Sequence, residues 1–102
     1  MFGLAAIHKF ACWNKVDLLV LLLERLDDAE VNAPGGADKG TALHSCIDMD
    51  ALDAFRFLLS TTRVDLTIQD RKGRTCEQLA TERGKIRFIE IINASKDMRT
   101  FP

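Results

Sequence analysis

Two histidines and three cysteines are the residues of this 102-residue chain whose types could do chemistry. His8 and Cys12 lie one helical turn apart, and His44 and Cys46 are close in sequence. Such groups can ligate zinc or pair as a thiol nucleophile and its base. Zinc asks for four converging ligands, usually delivered by short Cys-x-x-Cys or His-x-x-x-His pairs, and no such pair occurs here. The acidic pairs Asp27-Asp28 and Asp48/Asp50 fall in or beside turns, where solvated carboxylates are expected. Gly35-Gly36 lacks the Gly-x-x-x-x-Gly-Lys-Ser/Thr spacing of a phosphate-binding loop. General acid–base catalysis needs a base held by its neighbours, and the spacing offers no candidate. The reading is of a non-catalytic chain with no cofactor.

The elements that position these residues recur. Ala5-Ala6-Ile7-His8 precedes the apolar run Leu18 to Leu23, Thr41-Ala42-Leu43-His44 precedes Phe55 to Leu59, and Thr75-Cys76-Glu77-Gln78 precedes Phe88 to Ile92. His8 and His44 stand 36 residues apart, and Gln78 follows 34 later. This period is that of stacked helical units, which bury their apolar faces only against copies of themselves. The pattern predicts helices over Ala5–Trp13, Val16–Leu26, Thr41–Met49, Leu52–Ser60, Thr75–Gly84 and Lys85–Ala94, with Asn14-Lys15, Asp50 and Gly84 at the turns. Thr41 and Thr75 read as N-caps. Asp27–Lys39, with Pro34, Gly35 and Gly36, reads as a loop or extended hairpin. Val64–Gln69 alternates apolar and polar residues and leads into Asp70-Arg71-Lys72-Gly73, which resembles a hairpin tip. Ser95–Pro102 has no periodicity and reads as a frayed tail. Leu22, Leu43, Leu58, Leu79 and Ile91 are the expected common core.

Composition bounds the function. Hydrophobic residues make up 47% and charged ones 28%, ordinary for one small globular domain. The longest apolar run, Leu18 to Leu23, is too short to span a bilayer, so no membrane insertion is expected. An odd number of cysteines inside helical segments reads as reduced thiols, hence the cytoplasm or nucleus. The net charge of −1 argues against a dedicated nucleic-acid binder. It conceals an asymmetry: residues 1–60 carry five basic and nine acidic side chains, residues 61–102 nine and six. The basic C-terminal part is either a solvated face or a site for a partner with an acidic patch.

With these residues in place, the chain resembles the ankyrin repeat family over about residues 4–93. Thr41-Ala42-Leu43-His44 carries the opening of the family's first helix, and Phe55, Leu58 and Leu59 its second. Asp65 to Asp70 matches the approach to the hairpin, and Gly73-Arg74-Thr75 with Leu79-Ala80 and Gly84 matches a terminal repeat. The resemblance implies an all-α helical solenoid of three helix-turn-helix repeats, about 4–33, 34–69 and 70–94, joined by short β-hairpins, with a tail at 95–102. It implies that His8 and His44 bond backbone near the hairpins and tie neighbouring units, and that Cys46 and Cys76 take packing positions. The pattern departs from the family at Phe10, where Ala is usual, and at Glu77-Gln78. The first connection is also long, with Gly40 next to Thr41, so the hairpin at 34–40 is expected to be distorted.

What the resemblance implies for function is protein binding through tips and first-helix ends. The matching tip residues are Ala37, Asp38 and Lys39, then Arg71, Lys72 and Arg74. The helix-end residues are Cys12 and Trp13, Asp48 and Met49, Glu82 and Arg83. Trp13 either anchors a partner, as Trp often does, or packs over its own helix turn. A second possibility starts from the apolar first helix, with Phe2, Leu4, Ile7 and Phe10. That end would dock on another domain or subunit as part of a larger complex, or the chain would be a piece of a longer array.

Overall fold

A computed structural model describes residues 2–35, 39–61 and 63–100, with side chains described between Ala6 and Ser95. Seven helices follow in order: α1 (Phe2–Cys12), α2 (Val16–Leu23), α3 (Asp28–Val31), α4 (Ala42–Asp48), α5 (Leu52–Ser60), α6 (Cys76–Glu82) and α7 (Ile86–Thr100). The described residues are therefore all-α.

One backbone device makes the turn in α1–α2, α4–α5 and α6–α7. Lys15 N–H bonds Phe10 O at 2.9 Å and Asn14 N–H bonds Ala11 O at 3.2 Å. Ala51 to Cys46 with Asp50 to Ile47, and Lys85 to Ala80 with Gly84 to Thr81, repeat the same two bonds. This is a Schellman closure, whose pivotal residue must be left-handed. Asn14, Asp50 and Gly84 hold φ of 57°, 56° and 66°, and Asn, Asp and Gly are the residues that tolerate it. Those spacings of 36 and 34 residues are the ones between His8, His44 and Gln78.

The pairs stack in register. First helices pack α1 on α4 and α4 on α6, while second helices pack α2 on α5 and α5 on α7. Cys46 Sγ lies 3.9 Å from Ala11 O. Asn14 Oδ1 accepts from Ala54 N–H at 2.8 Å, so the turn of one pair caps the second helix of the next. The core between them includes Leu19, Leu43, Ile47, Phe55, Leu58, Leu79 and Ile92. Phe55 and Phe88 meet edge to face with centroids 4.8 Å apart, a favoured aromatic geometry.

Several sequence expectations need correction. Leu43, Leu58 and Leu79 are buried as expected, but Leu22 and Ile91 are only half-buried, and Leu19, Leu23, Phe88 and Ile92 fill the core at the two ends. An end pair has one covered side, so only the residues turned toward the middle pair are enclosed. Helix α2 stops at Leu23 rather than Leu26, and the presumed loop contains α3. A reciprocal capping box nucleates α3: Glu30 N–H bonds Asp27 Oδ1 at 2.8 Å, and Asp27 N–H bonds Glu30 Oε1 at 3.1 Å. Helix α7 continues past Ala94 to Thr100 instead of fraying.

The expected hairpins are not seen among the described residues. The first connection has one isolated bridge, Gly35 N–H to Gly40 O at 2.9 Å. In the second, Asp70 N–H bonds Arg74 O at 2.8 Å, but Asp70's own carboxylate takes the N–H groups of Lys72 and Arg74. A side chain closes the tip where a strand ladder would have done so.

Leu58→Ala is expected to cost roughly 2–5 kcal/mol by leaving a cavity. Gly40→Ala would place its Cβ 2.6 Å from His44 Cβ and Cγ, an overpacking expected to cost about 1–3 kcal/mol. Denaturant unfolding measures both, and a near-neutral result for either would contradict close stacking.

Candidate functional site

Trp13, Met49 and Arg83 sit at equivalent places, the C-terminal caps of α1, α4 and α6. Each donates its N–H one turn back, to Lys9, Ser45 and Leu79 oxygens. Because these helices pack side by side in register, the three side chains form a row along one edge. Trp13 and Met49 are each 58% exposed, large apolar groups standing in water. The Phe10 ring lies 6.5 Å from Trp13, so Trp13 rests on its own helix while most of it stays exposed. Asp48 pairs with Arg83 at 3.1 Å, and Asp50 with Lys85 at 2.6 Å. These exposed pairs add little stability but fix where the charges stand.

The tips divide differently from expectation. Lys39 is exposed at φ 56°, the place equivalent to Gly73 at φ 79°. Ala37 and Asp38 lie outside the described residues. Arg71 and Lys72 are exposed, but Arg74 is not a free tip cation. Its Nε and a terminal nitrogen each lie 3.0 Å from Asp70 Oδ2, and the other terminal nitrogen pairs with Glu82. The Arg74 side chain is 13% exposed and that of Asp70 fully buried. A buried carboxylate requires a paired cation and hydrogen bonds, and Arg74 fills that need. Arg74 and Glu82 are thus committed to one another, and the basic tip reduces to Arg71 and Lys72.

Burial by itself would raise the Asp70 carboxyl, but the N–H groups of Arg74 and Lys72 and the adjacent guanidinium outweigh it and hold the group below the ordinary carboxylate range.

Of the groups that could have done chemistry, His8, His44, Cys46 and Cys76 are held in the packing, and Cys12 is half-buried. His44 Nδ1 accepts the Thr41 N–H at 3.0 Å, and its Nε2–H reaches Arg74 O at 2.8 Å. His8 Nε2 reaches Gly40 O at 3.1 Å. Burial, first of all, pushes the Cys46 thiol far above its usual range, which disfavours the thiolate. No three His, Cys, Asp or Glu side chains converge as metal ligands among the described residues. Nor is any helix there long and apolar enough to cross a membrane.

Arg63 carries no signal in the sequence, whereas Val31-Asn32-Ala33 resembles the end of a first ankyrin-like repeat, and the two residues act together. Arg63 Nε pairs with Asp28 at 2.7 Å, and its terminal nitrogens donate to the carbonyl of Leu23, the last residue of α2, and to that of Leu26 in the turn beyond it. Asn32 donates to Asp28 O and Arg63 O, each at 2.9 Å, and accepts from Asp65 N–H at 2.7 Å. Their partners on the neighbouring unit lie 31 to 40 residues away, beyond any local pattern. No family model matches this chain.

Because the folded carboxyl of Asp70 titrates below its unfolded value of about 3.9, its contribution is complete above that value. It is lost as pH falls through the folded pKa. Asp70→Asn should lower stability at neutral pH by about 1.5–3 kcal/mol, the worth of hydrogen bonds to a charged group. It should also remove part of the acid-side decline below about pH 4. Unfolding curves of both proteins from neutral to acid pH test this, and parallel pH profiles would contradict it.

Proposed function

We propose that this chain is an ankyrin-like solenoid of three repeats that acts as a non-catalytic protein-recognition module. The row Trp13, Met49 and Arg83, with Asp48 beside it, would meet the partner, together with Lys39, Arg71 and Lys72 at the tips. The observation that carries the reading is the pair of large apolar side chains, Trp13 and Met49, held exposed at equivalent helix ends. Isolated exposed apolar groups are ordinary. Two at the same place in adjacent, rigidly stacked units, flanked by fixed charges, make an anchor with a polar rim. Tight packing behind the row means little ordering is lost on binding.

The likeness of the three units supports the ankyrin reading. Each has the same turn closure, and the first two carry a buried His whose Nε2 bonds the carbonyl leading into the next unit. The basic tip suits a protein partner with an acidic patch. Cytoplasm or nucleus fits cysteines that form no disulfide.

The test is binding kinetics with a partner isolated on the wild-type chain. Trp13→Ala should raise the dissociation rate tenfold or more, on the order of a hot-spot truncation. Arg71→Glu with Lys72→Glu should slow association and flatten its salt dependence, since rim charges act on encounter. Binding indifferent to both sets of changes would place the interface elsewhere.

A further inference from the structure

The equivalence of the units shows which side of each second helix faces its predecessor. Leu18, Ala54 and Phe88 occupy one such place, and Leu22, Leu58 and Ile92 the next, one helical turn on. In α5 and α7 all four residues are buried: Ala54 and Leu58 lie beneath the first pair, and Phe88 lies against Phe55. In α2 the same places hold Leu18, 40% exposed, and half-buried Leu22, with Leu21 beside them 60% exposed. Phe10 borders this stripe, and Arg25 closes it. On α1, Ile7 is fully buried and Phe10 half-buried, while the side chains of Phe2 and Leu4 lie outside the described ones.

The opposite end of the stack is finished differently. The place filled by buried Leu23 and Leu59 is taken in α7 by exposed Asn93. That exchange weakens the apolar match to α2 that head-to-tail stacking of copies would need, although Ile89, at the place of buried Leu19 and Phe55, and Ile86, 67% exposed, leave this end partly apolar.

Another unit in the same register is disfavoured as well. Phe10 is equivalent to Cys46 and Ala80, both fully buried, and Cys46 Sγ is 3.9 Å from the preceding helix's Ala11 O. Small residues let successive first helices approach, and a phenyl ring at that place blocks the same approach. What covers α2 must fit over Phe10 in another orientation.

We propose that a second copy of the chain covers it, as a two-fold dimer joined α2 to α2. The same stripe on another copy offers a matching apolar surface, and its flanking charges are complementary to themselves. With the helices antiparallel and the axis at Leu21, Asp17 of each copy faces Arg25 of the other, four residues to either side of Leu21. Both are exposed. The arrangement is self-complementary in shape, apolarity and charge, as an isologous interface must be. It would also leave two copies of the Trp13–Met49 row free, making the particle bivalent toward a partner.

Sedimentation equilibrium over a concentration series tests this. The wild-type mass should approach twice the 11.4 kDa of one chain. Leu21→Glu, which sets two like charges on the axis at a residue exposed in the monomer, should give a single-chain mass with an unchanged melt in dilute solution. Asp17→Arg and Arg25→Asp should each weaken association about tenfold or more, and the two together should restore it. A wild-type chain that stays single into the high micromolar range would overturn the proposal. So would a dimer that survives Leu21→Glu, or a charge-swapped double variant that fails to recover.

Discussion

The structure turns on what one imidazole ring can do with two nitrogens. His44 uses Nδ1 to accept the N–H that opens its own helix, and Nε2–H to hold the carbonyl at the entrance to the next unit. Each bond satisfies a buried backbone group that would otherwise cost stability. His8 makes the same reach, to Gly40 O, which also accepts the Gly35 N–H. Gly40 is thus gripped from both sides, with His8 on its carbonyl and His44 against its Cα. Any side chain there, or at Gly35 over the His8 ring, would push the rings away. Gln78 shows the division of labour by omission. Its amide oxygen accepts the Thr75 N–H at 2.9 Å, so it caps α6 as His44 caps α4, while the side chain itself is exposed.

Everything else that binds unit to unit follows the register these rings impose. Asn14 caps the next second helix, Asn32 and Arg63 stitch the outer connections, and Asp48 and Asp50 meet Arg83 and Lys85 across the turns. Asp48 and Arg83, paired in this way, would meet a partner as a fixed polar rim and not as free charges. The functional reading rests on two exposed apolar helix ends with their charged rim and on a short basic tip, and the dimer on the bare stripe of α2.

Much of the helix order could be read from the chain because its signals are local. Asn14, Asp50 and Gly84 mark left-handed turns, Thr41 and Thr75 mark helix starts, and the two histidines mark the period. The capping box of α3 was equally local, in Asp27 and Glu30, but Pro34 and the glycines nearby drew the whole segment into a loop. The hairpins were misread because alternation in Val64–Gln69 says nothing of whether a carboxylate will intercept the backbone bonds. The site was less legible for a related reason. Arg74 differs from Arg71 and Lys72 only through Asp70 and Glu82, and sequence shows charge without showing pairing. Arg63 carries no local mark at all.

The claim that the histidine rings couple the units is tested most directly by nitrogen-15 NMR of the imidazoles. The account predicts that His8 and His44 both hold the Nε2–H tautomer, with those ring protons exchanging with solvent as slowly as the amides of the buried helices α4 and α5. An Nδ1–H tautomer at His44, or rapid exchange at either Nε2, would contradict it.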